Sequence, residues 1–269
     1  MTRSSRRRPF RVGRLPTESA SSLTVLSANS TLLTKVIGRD GGIDPVDRTK
    51  FFEGTPVDVS DFGSAVELLR ELESCPNSAI VLGAIAAGTD RTRMRRLYHA
   101  TKHEPATLLD VPRILFPFDL DTVGTPIGFD RTNLDSAAKT VRDAMPRPFR
   151  TARCVAVATS GYLIKSGLRF RLWFFLDEPM TCAMMKRWLH SLRAPVDFQP
   201  LHPAGLNYTA APIFENPSHD PLPNGRIVIL DGSERVKSPD LHNTPEMRER
   251  VSTGSPLRLR GGTSALIRA

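Results

Sequence analysis

The chain is poor in cysteine, in aromatic residues and in long apolar runs. Its three cysteines, Cys75, Cys154 and Cys182, are odd in number and far apart, with no CxxC and no zinc-type spacing. A reducing, cytoplasmic compartment is therefore the expectation. No apolar run approaches the ~20 residues of a membrane span, so no membrane partner is expected. The basic N-terminus is not followed by an apolar segment with a small-residue cleavage site, and no secretory signal is expected. No HExxH occurs, and the one HxxxH spacing, His99 to His103, is not read as supporting a zinc site. There is no GxxxxGK(S/T) phosphate loop and no internal repeat. What remains is 269 residues with a hydrophobic fraction of 40%, enough for one large domain or two small ones.

Charge is the feature present in excess. The net +9 suits a polyanionic partner, but its distribution qualifies that reading. Residues 1–20 hold six Arg against one Glu, residues 237–269 hold six Lys/Arg against three Asp/Glu, and the middle keeps only about +1. Basic tails can hold nucleic acid through its phosphates. They are equally well read as solvated, disordered ends.

Hydrophobic periodicity predicts alternating strands and helices. Residues 1–20 are expected to be disordered, Ser22–Ser27 a strand, and residues 30–56 loop or hairpin around Gly38-Arg-Asp-Gly-Gly42. Asp58–Ser74 reads as a helix capped by Ser60 or Asp61, with Phe62, Ala65, Val66, Leu69 and Leu72 on one side. Ala79–Gly83 reads as a buried strand and Arg91–Ala100 as a basic helical stretch. An acidic strand follows, then a helix over Asn133–Met145 stopped by Pro146 and Pro148. Cys154–Ala158 and Leu168–Leu176 read as strands, and Thr181 caps a helix to about Leu192. Tyr208–Phe214 and Arg226–Leu230 are the last strands, before a polar tail. That order predicts an α/β or α+β domain in two halves, with the acidic strand at their junction, where clefts form.

The acidic strand is Arg113-Ile-Leu-Phe-Pro-Phe-Asp-Leu-Asp121. Strand side chains alternate faces, so Asp119 and Asp121 share one face and Phe116, Phe118 and Leu120 the other. Two adjacent acids repel unless a cation or proton sits between them. In a nucleotide-handling enzyme that cation is Mg²⁺ or Mn²⁺. The plainer alternative is a strand running into a polar turn with two solvated acids.

Two further clusters stand out. Thr159-Ser-Gly-Tyr-Leu-Ile-Lys-Ser-Gly167 is a Gly-containing loop between strands, able to approach phosphates, with Lys165 as a point charge and Ser160 as a hydroxyl. In the next strand Leu168, Phe170, Leu172, Phe174 and Leu176 form a core face, while Arg169, Arg171, Trp173 and Phe175 form the other. Two guanidinium groups in so apolar a strand need partners, and phosphates suit them. The alternative is a surface strand with solvated arginines. Pro195-Val-Asp197 adds another acid, and the segment after it brings His202, Asn207, Tyr208 and Thr209 together. A third carboxylate would complete a two-metal site. Taken singly, Asp197 reads as a turn acid and His202 and His219 as surface histidines.

Together the clusters resemble the archaeo-eukaryotic primase, or primase-polymerase, superfamily. Phe118-Asp-Leu-Asp121 is similar to its hydrophobic-Asp-hydrophobic-Asp strand end, and Val196-Asp197 to its later hydrophobic-Asp. The runs Ala158-Thr-Ser160, Lys165-Ser-Gly-Leu-Arg-Phe-Arg-Leu-Trp-Phe174 and Tyr208-Thr-Ala-Ala-Pro212 resemble the primase region of phage and prophage primase-helicases. Leu33-Thr-Lys35 and the strand at Gly83 resemble the N-terminal part of such proteins, and the likeness covers about residues 22–230. Arg171 stands where the family has a nucleotide-contacting His, and arginine does not titrate near neutrality.

The resemblance implies an α+β fold of primase-polymerase type. A small N-terminal α/β unit at about 21–108 would pack on an RRM-like catalytic sheet at about 109–235, with tails at 1–20 and 236–269. It implies a metal-dependent nucleotidyltransferase that primes single-stranded DNA in phage or plasmid-type DNA replication. Asp119, Asp121 and Asp197 would hold Mg²⁺ or Mn²⁺, and Lys165, Arg169 and Arg171 would bind the nucleoside triphosphate, aided by Ser160. Asn207 and Tyr208 would contact base or sugar, and the arginines at 91–96 and in the N-terminal tail would track template phosphate. With no P-loop, the chain would be either a stand-alone primase or one that needs a separate replicative helicase. Two rivals stay open. Phe118-Asp-Leu-Asp-Thr-Val123 also resembles the DxDx(T/V) loop of HAD-like phosphohydrolases, with Asp119 as nucleophile and Asp121 as general acid, although Asp231-Gly-Ser-Glu234 is a poor second acidic motif. The other rival is a non-catalytic replication or DNA-binding module, which Arg171 favours.

Overall fold

A computed structural model describes residues 19–44 and 49–239. The tail assignments at 1–18 and 240–269 lie outside the described residues. The fold is mixed α+β, with several antiparallel sheets and few helices. Among the described residues no helix is long and apolar enough to cross a membrane. One compact unit reaches Lys237.

The N-terminal half supplies β1 (Ser22–Ser27), β2 (Val36–Ile37), β3 (Ile43–Asp44) and β4 (Glu53–Asp58). Then come α1 (Phe62–Glu73), β5 (Ser78–Val81), β6 (Ala84–Ile85) and β7 (Leu108–Leu109). Leu23, Thr24, Val25 and Leu26 are all buried, as expected of a strand covered on both faces. Asp61 caps α1 by accepting from the Ser64 amide at 2.8 Å, and Ser64 returns the contact to the Asp61 amide. Ala65, Val66, Leu68, Leu69 and Leu72 then form its buried stripe.

The second half supplies β8 (Arg113–Val123), α2 (Leu134–Asp143), α3 (Arg147–Arg150), β9 (Cys154–Ala158) and β10 (Leu168–Met180). It ends with α4 (Cys182–Ser191), β11 (Asn207–Tyr208), β12 (Ile213–Phe214) and β13 (Ile227–Leu230). The main sheet has the order β13-β9-β10-β8, antiparallel throughout. β8, α2 and β9 thus form a β-α-β crossover with β10 inserted between its two strands. Leu168, Phe170, Leu172, Phe174 and Leu176 are fully buried on one face of β10. There Phe149 packs on Phe118, Phe174 and Trp188, with ring centroids 5.2, 5.3 and 5.2 Å away. Trp173 and Phe175 on the opposite face are also buried, so this sheet is covered on both sides.

The halves interlock. β11 joins the N-terminal sheet, whose order is β11-β5-β1-β4, and β12 pairs parallel with β2. Buried Arg113 donates to the carbonyls of Leu82 at 2.9 Å and Ser19 at 2.7 Å. All three cysteines are free, and burial pushes the Cys154 thiol up to about 12.

Three expected elements differ. Glu53–Asp58, expected as loop and the start of a helix, is strand β4, paired antiparallel with β1. Arg91–Ala100 is not helical. Its backbone pairs outward instead: Met94 and Phe52 exchange amide–carbonyl bonds of 2.8 and 2.9 Å, and the Gly54 amide donates to the Arg91 carbonyl at 2.7 Å. Long-range ladder bonds there replace the i→i−4 bonds a helix needs. Tyr208–Phe214 is two short strands, β11 and β12, in different sheets. Pro212, which lacks a donor, lies between them.

Candidate phosphate-binding site

The acidic strand and the arginine strand meet in register. Arg171 of β10 lies directly opposite Asp119 of β8. Its Nε and Nη2 each donate to one Asp119 carboxylate oxygen at 2.6 Å, and its Nη1 donates to the Tyr208 carbonyl at 2.5 Å. This is a bidentate, charge-assisted pair with side chains only 8% and 14% exposed. A register shift between Leu168 and Phe170 loosens the ladder just beyond it. Arg169 and Asp121 consequently stand 3.4 Å apart in a looser pair, with Asp121 more than half exposed.

Asp197 reaches the same place through its backbone. Its amide donates to the Asp119 carbonyl at 2.9 Å, and its carboxylate accepts from the Gln199 amide at 2.9 Å. Asp119, Asp121 and Asp197 are therefore neighbours that do not share one cavity. A cavity of about 220 Å³ is lined by Asp119 and Asp121, and one of about 550 Å³ by Asp119 and Asp197. Arg171 and Tyr208 line both.

The smaller cavity is strongly cationic. Lys35, Lys165, Arg169, Arg171 and Arg226 line it against two carboxylates. The 159–167 loop forms one rim, bringing Ser160 and Gly161 to the lining. That loop is pinned. The Tyr162 hydroxyl donates to the Arg131 carbonyl at 2.5 Å, and Arg131 Nη2 donates to the carbonyls of Lys165 at 3.0 Å and Gly167 at 3.2 Å. A Cβ on Gly161 would lie 3.1 Å from Arg169 Cδ, so glycine here lets the arginine pass close to the backbone. Burial lowers the Lys35 pKa below its ordinary value; Lys165 and Arg169 lower it further, against the pull of Asp121 and Asp119.

The larger cavity mixes charges. Burial lowers the His202 pKa, with Lys186 and His99 acting in the same direction and Asp110 opposing. Its Nδ1 accepts the Ala204 amide at 3.1 Å, and the Arg96 guanidinium donates to the Ala204 carbonyl.

Of the residues read as candidates, Asp119, Asp121, Ser160, Lys165, Arg169, Arg171 and Tyr208 meet at the smaller cavity. Asn207 does not. It is fully buried in β11, and its amide nitrogen donates to the Pro200 carbonyl at 3.2 Å. Lys35, Thr209 and Arg226 join the cavity without having been singled out as ligands. Their signals were the Leu33-Thr-Lys35 run, the place of Thr209 in the Tyr208-Thr-Ala-Ala-Pro212 run, and a charge heading the apolar Ile227–Leu230 run. As arranged, the acids are not assembled as a two-metal centre. Asp119 is held by Arg171, Asp121 and Asp197 line different cavities, and among the described residues no three His, Cys, Asp or Glu gather to hold a metal. No protein-family model, curated protein or solved structure matches the chain.

Proposed function

We propose that the protein is a primase-polymerase-type domain that takes a nucleoside triphosphate into the cationic cavity beside a single-stranded DNA template. The observation that carries this reading is the cavity itself: five cationic side chains and a Gly-containing loop at the end of an acidic strand. Ammonium and guanidinium donors lining one concavity suit a phosphate chain. The β10 strand inserted between β8 and β9 supports an RRM-like catalytic sheet. Primer synthesis in phage or plasmid-type replication, in the cytoplasm and with a separate helicase, is the proposed setting.

Nucleotidyl transfer turns on one contact, the Arg171 guanidinium on Asp119. While it holds, Asp119 offers no free oxygen to another cation. The same contact weighs against the phosphohydrolase rival, because a nucleophilic Asp119 needs an unencumbered oxygen. It favours a second reading, a non-catalytic module that binds nucleotide and DNA.

The test is a pair of assays on the full chain: ATP binding by calorimetry, and primer synthesis on single-stranded DNA with Mg²⁺ or Mn²⁺. Binding with synthesis is the expected result. Binding without synthesis selects the non-catalytic module. No nucleotide binding defeats both.

A further inference from the structure

The N-terminal half brings its own cation to the cavity, and its position is fixed. The Thr34 hydroxyl donates to the carbonyls of Ala210 at 3.2 Å and Ala211 at 2.9 Å. The Lys35 carbonyl accepts the Ile213 amide at 2.9 Å. Lys35 is thus tied on both sides to the segment joining β11 and β12, and it lines the cavity beside Lys165 and Arg169.

Arg226 enters from another direction. Its carbonyl accepts the Ala158 amide at 2.9 Å, and its own amide donates to Glu73 at 2.8 Å. Its Nη2 pairs with Asp220 and its guanidinium lies over the Phe214 ring, but its Nε and Nη1 have no hydrogen-bond partner although the residue is 2% exposed. The Thr209 hydroxyl, on a residue 6% exposed, also lacks a partner. All three residues line the same cavity.

Buried donors without acceptors are costly, and cations that outnumber their carboxylates repel. A row of anionic oxygens relieves both. Lys165 and the loosely paired Arg169 stand at the loop rim, and one phosphate group there carries roughly −1.5 to −2 charges. The additional donors call for additional phosphates.

We propose that Lys35, Thr209 and Arg226 form a second phosphate subsite, which makes the cavity select triphosphate chains over monophosphates. This subsite deepens the nucleotide-binding reading and rests on it. The experiment is calorimetry of the full chain with ATP, AMP and inorganic tripolyphosphate in EDTA, with thermal melts as folding controls. The unsubstituted protein binds ATP and tripolyphosphate more tightly than AMP. Lys35→Ala and Thr209→Val weaken ATP and tripolyphosphate and leave AMP unchanged. For Lys35→Ala the loss is about tenfold or more, the worth of a hydrogen bond to a charged group. Lys35→Arg restores the preference. Equal losses for ATP and AMP, or no loss for either, overturn the subsite. Lys35-dependent binding of tripolyphosphate without ATP binding keeps the subsite and defeats the nucleotide reading.

Discussion

The two cavities that meet at Tyr208 and the Asp119–Arg171 pair differ in what their polar groups lack. In the larger one most polar groups already have partners: Asp197 holds the Gln199 amide, His202 holds the Ala204 amide, and Arg96 holds the Ala204 carbonyl. Those bonds tie the 197–205 segment to itself and to its neighbours. In the smaller one cations outnumber carboxylates, and buried donors on Thr209 and Arg226 stand open. Volume would favour the larger cavity as a ligand site. Unanswered charge favours the smaller, and at these burials charge is the larger energy.

Their common wall is the place to strike hardest. Asp119→Ala leaves Arg171 buried without its counter-ion, which costs about 3–5 kcal/mol of stability. Urea denaturation measures this. The double variant Asp119→Ala/Arg171→Met recovers most of the loss, because removing both charges removes the desolvation problem. A single-variant loss below ~1 kcal/mol, the scale of an exposed ion pair, would mean that Arg171 simply turns into solvent. Loss of primer synthesis in Asp119→Ala therefore speaks for chemistry only if the fold survives.

Paired glycine substitutions separate the cavities with a smaller effect. A Cβ on Gly205 would lie 2.5 Å from the Gln199 carbonyl oxygen and 3.1 Å from that of His202, both backbone atoms. Gly205→Ala must move the loop and costs about 1–3 kcal/mol, without changing ATP affinity. Gly161→Ala meets the Arg169 side chain, which can swing aside. Its stability change stays within about 0.5 kcal/mol, while ATP binding weakens a few-fold as Arg169 leaves the rim. Thermal melts and calorimetry read the two arms. The reverse pattern would exchange the roles of the cavities.

Much of this geometry was legible in the sequence. Period-two alternation placed Asp119 with Asp121 and Arg169 with Arg171, and the caps Asp61 and Thr181 lie at helix starts. The facing of Arg171 and Asp119 was not legible, because register depends on a shift between Leu168 and Phe170 that no local pattern encodes. Lys35 and Arg226 are far from the acidic strand in sequence, and only the return of the chain through β11 and β12 brings such segments together. The basic stretch at 91–96 looked helical because propensity is local, whereas its backbone is claimed by a distant strand at Phe52 and Gly54. Arg96 shows the same limit: its guanidinium donates to the Ala204 carbonyl at the larger cavity.

The smallest effect is the finest test, since the cavities titrate in separate windows. His202, surrounded by Lys186, His99, Asp110 and Arg96, has a folded-state pKa below its ordinary 6.5. The unfolded chain binds more protons there, so stability falls as pH drops through 6.5 toward the lowered value. Lys35, facing Lys165, Arg169, Asp119 and Asp121, has a folded-state pKa below 10.5. The same sign applies, and stability rises as pH climbs from that lowered value toward 10.5. His202→Gln flattens only the acid limb and Lys35→Met only the alkaline one, as followed by denaturation midpoints across pH. Tripolyphosphate sharpens the contrast. A bound polyanion favours protonated Lys35, returns its pKa toward the ordinary value and erases the alkaline rise, while the His202 limb stays as it was. An alkaline limb indifferent to tripolyphosphate would mean that the anion does not reach Lys35, and that its crowding by other cations is structural.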